Sequence, residues 1–181
     1  DTMIEKELKP LKMERARFKT EIKQVSPNAL GQDSVVFTIS TNSGSKFGSL
    51  MKIASGGELS RFLLALKVCL SDDQKGISMV FDEIDRGVGG ATADAVGRRL
   101  LKLAKKDAQV LVVTHSPQVA ALAERHFVVS KVIEGKETLS SVNQIKGEDC
   151  VEEIARMISG DRITDEAREA SRVLISGAST G

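Results

Sequence analysis

The segment 54–61 carries residue types that suit the binding of an anion at the start of a helix. Ser55, Gly56, Gly57 and Glu58 directly precede an apolar run. Two glycines in a first helical turn leave backbone amides open to close approach, and a helix N-terminus attracts anions such as phosphate. A capping box, in which Ser55 and Glu58 bond each other's amides, explains those two residues but not the glycines. Taken alone, the segment fits a helix cap and an anion site equally well.

A pair of carboxylates, Asp82 and Glu83, directly follows the apolar run 77–81. Ligand sites of open α/β sheets lie beyond the carboxyl ends of the strands. At such a place an aspartate can help to hold Mg²⁺, and a neighbouring carboxylate can orient or deprotonate an attacking water. A strand that simply ends at the solvent is the more common explanation of such a pair.

A histidine, His115, follows a second apolar run, 110–113. If both runs are parallel strands, His115 and the carboxylate pair lie at the same edge of the sheet. The imidazole could then contact a phosphate oxygen or the attacking water, although a lone histidine is more often structural. His126 has no comparable setting, and we expect it to have no chemical role.

Helices and strands must alternate to position these motifs. The apolar spacing predicts helices over 58–70, 91–105 and 117–123, with strands over 77–81 and 110–114 between them. Continuous apolar strands flanked by helices are typical of a parallel sheet that is covered on both faces. The expected fold is therefore α/β, a mixed sheet with parallel core strands flanked by helices.

The flanking regions predict further elements. Ile4, Leu8 and Leu11 have the spacing of a coiled-coil or amphipathic helix over 3–17, which Pro10 should break or kink. The remaining expectations are strands over 18–25 and 34–40 joined by a turn at 26–28, a loop over 41–49, antiparallel strands over 127–132 and 138–144, and helices over 151–157 and 165–175. Thr164 is expected to cap the last helix, and residues 176–181 to fray.

The composition excludes several classes of protein. The chain has 181 residues, 41% hydrophobic and 28% charged, which fits one globular domain and neither disorder nor a fibrous repeat. The net charge of +1 argues against a strongly basic nucleic-acid coat. Two distant cysteines and two histidines argue against a disulfide scaffold and a zinc finger, and suit a reducing cytosol. The apolar runs are too short to span a membrane. Because the chain opens with Asp1, we expect it to be a fragment of something longer.

In their order and spacing, the three motifs resemble the signature motif, the Walker B motif and the H-loop of ABC-type ATPase heads. Glu58 stands where transporters usually carry Gln, a substitution common in the SMC-like branch of these ATPases. Four segments are similar to the RecN family of bacterial DNA repair proteins: 35–42, 82–90, 115–121 and 152–157. The resemblance extends over about residues 12–174, which is nearly the whole chain.

The resemblance also identifies a D-loop after the Walker B motif, with Asp85, Gly87, Gly89 and Gly90 as its residues. Gly89 departs from SMC-type D-loops, which usually carry Asp at this position. RecN-like sequences share the glycine, so the departure favours the narrower family.

The resemblance implies an ATPase function in recombinational repair of DNA double-strand breaks. In the family mechanism two heads sandwich ATP, and the signature residues of one head (Ser55, Gly56, Gly57 and Glu58) close over the γ-phosphate bound by the other. Asp82 would help to position Mg²⁺, Glu83 would activate water and His115 would steady the γ-phosphate. The implied partners are an N-terminal Walker A lobe of the same protein, a second head and DNA, with no membrane and with a cytoplasmic, nucleoid-associated location.

A P-loop is missing, because no Gly-x-x-x-x-Gly-Lys followed by Ser or Thr occurs in the sequence. We therefore expect the chain to be half of a head and to be inactive alone. The implied organisation is a coiled-coil end over 1–17, a C-terminal head lobe over 18–176 and a frayed tail over 177–181. Two alternatives stay open: a nucleotide-binding subunit of a transporter or other SMC-like ATPase, and a non-enzymatic interaction module in which these motifs are structural.

Overall fold

The structure is a computed structural model. It describes residues 1–29, 31–42, 44–50, 56–70, 76–105, 108–134 and 137–178. The chain divides into two units, Asp1–Val113 and Thr114–Gly181. Among the described helices, none combines the length and the apolar character that a membrane crossing requires.

The first helix, α1 (Thr2–Leu8), is shorter than the spacing of its apolar residues predicts. It ends before Pro10, whose nitrogen cannot donate to the preceding turn, so the expectation of a helix over 3–17 is wrong beyond Leu8. Ile4, Leu8 and Leu11 are buried, and α1 packs against the helix that begins at Gly56. The spacing of these three residues therefore reflects their packing in the core of the first unit. The assignment of residues 1–17 to a coiled-coil end stays a prediction.

An antiparallel sheet follows α1. Strands β1 (Arg17–Asn28) and β2 (Gly31–Ser40) pair with each other, and the short β3 (Gly48–Ser49) pairs with β2. Both long strands were expected, but the turn expected at 26–28 lies inside β1. The register shifts between Gln24 and Asn28, and such an irregularity accommodates Pro27, which has no amide hydrogen for the ladder.

The alternating region has the expected order: α2 (Gly56–Leu70), β4 (Ser78–Asp82), α3 (Gly90–Ala104) and β5 (Gln109–Val113). Strands β4 and β5 are parallel and in register from Ser78 opposite Gln109 to Asp82 opposite Val113. The core here is formed by fully or nearly fully buried apolar side chains: Phe62, Leu64, Val68, Phe81, Val96, Leu100 and Leu103. The α/β fold class is confirmed.

The arrangement of the sheets differs from the expectation in two ways. The described strands form three separate sheets rather than one mixed sheet. The parallel pair is also covered on one face only, because Met79 and Phe81 are buried while Val80, Leu111 and Val113 are 65%, 48% and 55% exposed. An apolar run in a sequence indicates burial of both faces, but the residues that cover the second face need not belong to the same segment of chain.

The second unit begins with α4 (Pro117–Ala120), which is shorter than the helix expected over 117–123. Its hairpin of β6 (His126–Glu134) and β7 (Glu137–Ile145) confirms the expected antiparallel pair. Helices α5 (Glu148–Ser159) and α6 (Asp165–Ala178) complete the unit. The amide of Ala167 donates to Thr164 Oγ1 at 3.2 Å, which confirms the expected cap. Helix α6 continues to Ala178, so the fraying expected from 176 is wrong as far as that residue, and 179–181 lie outside the described residues.

Candidate functional site

A cleft of about 730 Å³ in the first unit brings together two motifs that are separated in the sequence. One wall is the start of α2, and the other is the carboxyl end of β4 with the turn that follows it. The residues lining the cleft are Gly56, Gly57, Glu58, Ser60, Arg61, Asp82, Glu83, Arg86, Gly87 and Val88. The tertiary structure therefore brings the glycine pair and the carboxylate pair together, which the sequence did not predict.

Helix α2 begins at Gly56, so the glycine pair occupies its first turn, as the sequence predicts. A Cβ atom on Gly56 would have no other heavy atom within 4 Å. Packing within the chain therefore does not require glycine here, whereas close approach by another molecule would. Ser55 lies outside the described residues, so the capping box between Ser55 and Glu58 stays a prediction. The same open space surrounds glycines in turns elsewhere in the described chain, such as Gly76 and Gly160, so it is compatible with an anion site and with a cap alone.

The carboxylate pair stands where β4 ends. Asp82 is the last residue of the strand, and the backbone N–H of Glu83 donates to the carbonyl oxygen of Val113 at 3.0 Å. Glu83 has a φ of 45°, a left-handed conformation that costs a side-chain-bearing residue about 1–2 kcal/mol. Non-glycine residues held in this conformation concentrate at functional sites. The strained backbone therefore indicates that the Glu83 side chain has a functional role and does not merely follow the end of the strand.

The Glu83 carboxylate has a cationic neighbour in the same turn. Arg86 Nη1 lies 3.6 Å from Glu83 Oε2, with side chains 79% and 49% exposed respectively. An ion pair this open to solvent contributes little to stability. It leaves the carboxylate accessible from the cleft.

The D-loop residues fall into two groups. Asp85 is only 1% exposed and does not line the cleft, although the sequence suggested it as a site residue. The chain turns here, since the amide of Arg86 donates to the carbonyl of Glu83 at 2.9 Å and Gly87 has a φ of 75°. Gly87 lines the cleft, while Gly89 and Gly90 lead into α3.

Arg61 is a cleft residue that sequence reasoning did not select. It lies one helical turn after Glu58, and its Nε is shielded from solvent without a hydrogen-bond partner in the described part of the chain. Burial lowers the pKa of the Arg61 guanidinium, and the Glu58 carboxylate raises it in part. The available signal was its i+3 spacing from Glu58, which places both side chains on one side of the helix.

The two histidines lie in different surroundings. His115 is exposed and belongs to the second unit, so its expected role beside the carboxylate pair stays a prediction. His126 Nε2 lies 2.9 Å from the carbonyl oxygen of Ala120, a local backbone contact that needs no chemical role.

The cleft offers donors that fit one kind of metal. Among the described residues, no group of three or more His, Cys, Asp or Glu side chains could hold a metal ion by itself. Mg²⁺ commonly takes only one or two carboxylates and completes its coordination with water and phosphate oxygens. Asp82 at the end of the strand can supply one such carboxylate. The described residues do not offer the cluster of ligands that a structural zinc site needs.

Comparison with known proteins finds relatives that are named as DNA repair proteins. No family model matches it. It is 49% identical over 173 residues to DNA repair protein RecN of Rickettsia prowazekii, covering 95% of this chain and 31% of that protein. It is 39% identical to RecN of Bacillus subtilis, covering 97% and 33%, and 38% identical to RecN of Vibrio cholerae, covering 98% and 32%. The chain thus spans about a third of the length of these relatives.

Solved structures with a similar fold are SMC heads. The Smc head domain with a coiled coil from Pyrococcus yayanosii aligns with a TM-score of 0.65 at 18% identity, covering 84% of this chain and 28% of that one. A structure described as addressing ATP-driven dimerization and DNA-stimulated activation of SMC ATPases aligns with a TM-score of 0.51 at 17% identity, covering 89% and 94%. At such identities the likeness concerns the fold alone.

Proposed function

We propose that the chain is the C-terminal lobe of an SMC-type ATPase head. The reason is its homology to the C-terminal portion of RecN DNA repair proteins. The observation that supports this most directly is the cleft that joins the Gly56–Gly57 helix start to Asp82 and Glu83. A helix cap and a strand end are each explained without the other motif. A lobe of such a head carries both, because it presents the helix start to the ATP of a facing head and the carboxylate pair to the ATP of its own head.

In this proposal each residue of the cleft has a defined task. Asp82 holds Mg²⁺, directly or through water, and Glu83 accepts the proton of the attacking water. The amides of Gly56 and Gly57, with Ser55 and Glu58, contact the γ-phosphate of ATP held by a facing head. His115 steadies the γ-phosphate of the ATP on which Asp82 and Glu83 act, and Gly87, Gly89 and Gly90 allow the D-loop to approach the facing head. ATP with Mg²⁺ supplies the electrophilic phosphorus and the counter-charge.

The exposed sheet face supports a second lobe as partner. Among the described strands, β4 and β5 pair only with each other, and two strands rarely form a stable sheet in water. Val80, Leu111 and Val113 form an apolar surface on that sheet. We infer that an N-terminal lobe of the same protein, which would carry the Walker A motif, covers this surface. The two lobes together, here the two-lobe protein, make a complete head.

The biological role rests on the relatives rather than on the cleft. The RecN relatives are named as DNA repair proteins, and we infer that this lobe acts in recombinational repair of double-strand breaks. Association of two heads around ATP, and their release on hydrolysis, would drive that role. The net charge of this lobe is only +1, and we infer that DNA is a partner of the complete protein. Such a role places the protein in the cytoplasm at the nucleoid.

The test is Glu83→Gln in the two-lobe protein. The amide keeps the shape of the side chain but cannot accept a proton, so we expect ATP binding to persist while turnover falls about a hundredfold to ten-thousandfold. Calorimetry measures the binding, and phosphate release measures the turnover. The matched control is Glu169→Gln, which changes an exposed carboxylate on α6 and should leave both unchanged. Parental turnover in Glu83→Gln would remove Glu83 from the role of general base.

A further inference from the structure

Arg61 is a cation in the cleft that has no ion-pair partner among the residues that the structure describes. Its side chain lines the cleft, and its Nε is shielded from solvent and has no hydrogen-bond partner among those residues. A buried donor without an acceptor is costly, because it gives up its bond to water and gains none in return. A structure retains such a group most readily where a second molecule supplies the acceptor.

The neighbouring charges do not supply that acceptor. Arg86, the other described guanidinium of the cleft, pairs with Glu83 at 3.6 Å. Within the described residues, no carboxylate oxygen lies within ion-pair distance of Arg61, and Glu58 acts on it only through longer-range attraction. The cleft thus holds one guanidinium with an intramolecular partner and one without.

We propose that Arg61 binds an oxygen of the terminal phosphate that a facing head presents to the start of α2. This inference rests on the proposed function and deepens it. A guanidinium offers parallel N–H donors in a fixed plane, which match two oxygens of a phosphate group better than an ammonium does. The amides of Gly56 and Gly57 carry partial charge at the helix start, and Arg61 adds a full positive charge one turn further along the same helix.

A different partner for Arg61 would be a carboxylate of the N-terminal lobe of the same head. The two possibilities predict different effects of removing the charge. Loss of a phosphate contact weakens the association of heads only when a triphosphate is present. Loss of an ion pair between lobes lowers the stability of the head whether or not nucleotide is present.

The experiment compares Arg61→Gln and Arg61→Lys with the parental two-lobe protein. Sedimentation velocity measures head association with a non-hydrolysable ATP analogue, with ADP and without nucleotide, and thermal melts are recorded without nucleotide. We expect analogue-dependent association to be about tenfold to a hundredfold weaker in Arg61→Gln, as for loss of a hydrogen bond to a charged group. Arg61→Lys should fall between Arg61→Gln and the parental protein. The melting temperature without nucleotide and the affinity of single heads for the analogue should not change.

The control is Arg98→Gln, which removes an exposed guanidinium that pairs with Asp94 on α3. It should associate as the parental protein does. Parental association of Arg61→Gln, or a lowered melting temperature without nucleotide together with normal association, overturns the proposal. If Arg61→Gln does not fold, association of Arg61→Lys equal to that of the parental protein overturns it. If the parental protein itself shows no triphosphate-dependent association, the proposed function is wrong. Failure of the Arg61 proposal alone would instead leave the association of the parental protein intact.

Discussion

At the scale of single residues, Glu83 combines strain with a chemical position. Its φ of 45° would suit glycine, yet the residue carries a carboxylate at the end of β4. Only one other described residue besides the glycines, Lys12, has a positive φ. A side chain kept at a cost in backbone energy is expected where the side chain itself is needed.

The strain predicts an inverted order of stability for two substitutions at position 83. Glycine is normally about 0.5–1 kcal/mol less stabilising than alanine, because it gains more freedom in the unfolded chain. At a positive φ, alanine keeps the strain and glycine relieves it, so Glu83→Gly should be about 0.5–1 kcal/mol more stable than Glu83→Ala. Denaturant unfolding of the two-lobe protein measures the difference.

The comparison needs a position with ordinary helical geometry. Glu169 lies inside α6, where glycine should be about 1 kcal/mol less stable than alanine. We expect the difference in stability between the glycine and the alanine variant to have opposite signs at positions 83 and 169. The same sign at both positions would show that Glu83 is not strained in solution.

At the scale of elements, α5 and α6 are joined by a bidentate ion pair. Arg168 Nε lies 2.6 Å from Glu152 Oε1, and Arg168 Nη2 lies 3.3 Å from Glu152 Oε2. The buried Ser171 adds a second connection, since its hydroxyl donates to the carbonyl of Val151 at 3.0 Å. The hydrogen bond from Arg168 lowers the pKa of the Glu152 carboxyl. The pair therefore makes the packing of the two helices dependent on pH.

The sign of that dependence follows from the lowered pKa of Glu152. A carboxyl whose folded pKa is below its ordinary value of about 4.3 stabilises the fold above that value, and the contribution is lost as pH falls through the folded pKa. Glu152→Gln should therefore lower the melting temperature at pH 7, and the difference from the parental protein should vanish in acid. Melting curves between pH 7 and about pH 3 measure it. Glu124→Gln, on an exposed carboxylate outside the helices, is the control, and a Glu152→Gln difference that persists unchanged in acid would contradict the assignment.

At the scale of the whole molecule, the apolar face of β4 and β5 is the feature that sets this chain apart from a self-sufficient domain. Three large apolar side chains are exposed side by side on a sheet of two parallel strands: Val80, Leu111 and Val113. Parallel sheets are normally covered on both faces. The exposed face and the share of the relatives that the chain spans, about a third, agree with a lobe that needs a partner.

The missing P-loop predicts how the chain behaves by itself. The phosphates of ATP are held mainly by the amides and the lysine of that loop, which this sequence does not contain. Calorimetry of this chain with Mg-ATP should therefore show no saturable binding in the micromolar range. The two-lobe protein should bind under the same conditions. A tight one-site isotherm for this chain alone would contradict the assignment of half a head.

The sequence by itself determined the features that depend on neighbouring residues. The order and type of the elements from α2 to α6 follow from the spacing of apolar residues, and their ends were expected within about three residues at most positions. Thr164 was identified as a cap because a cap is formed within one turn. The resemblance to RecN, carried by short motifs, is confirmed by relatives that match 95% or more of the chain.

The tertiary structure decided which residues contact each other and which are buried. The sequence did not place Arg61 in the cleft, bury Asp85 or leave one face of β4 and β5 open, although it did predict a break of α1 at Pro10. The physical reason is that periodicity records which side of an element is apolar, but not which distant segment covers that side. Burial and contact depend on residues far apart in the chain, and none of the described residues covers the open face of β4 and β5.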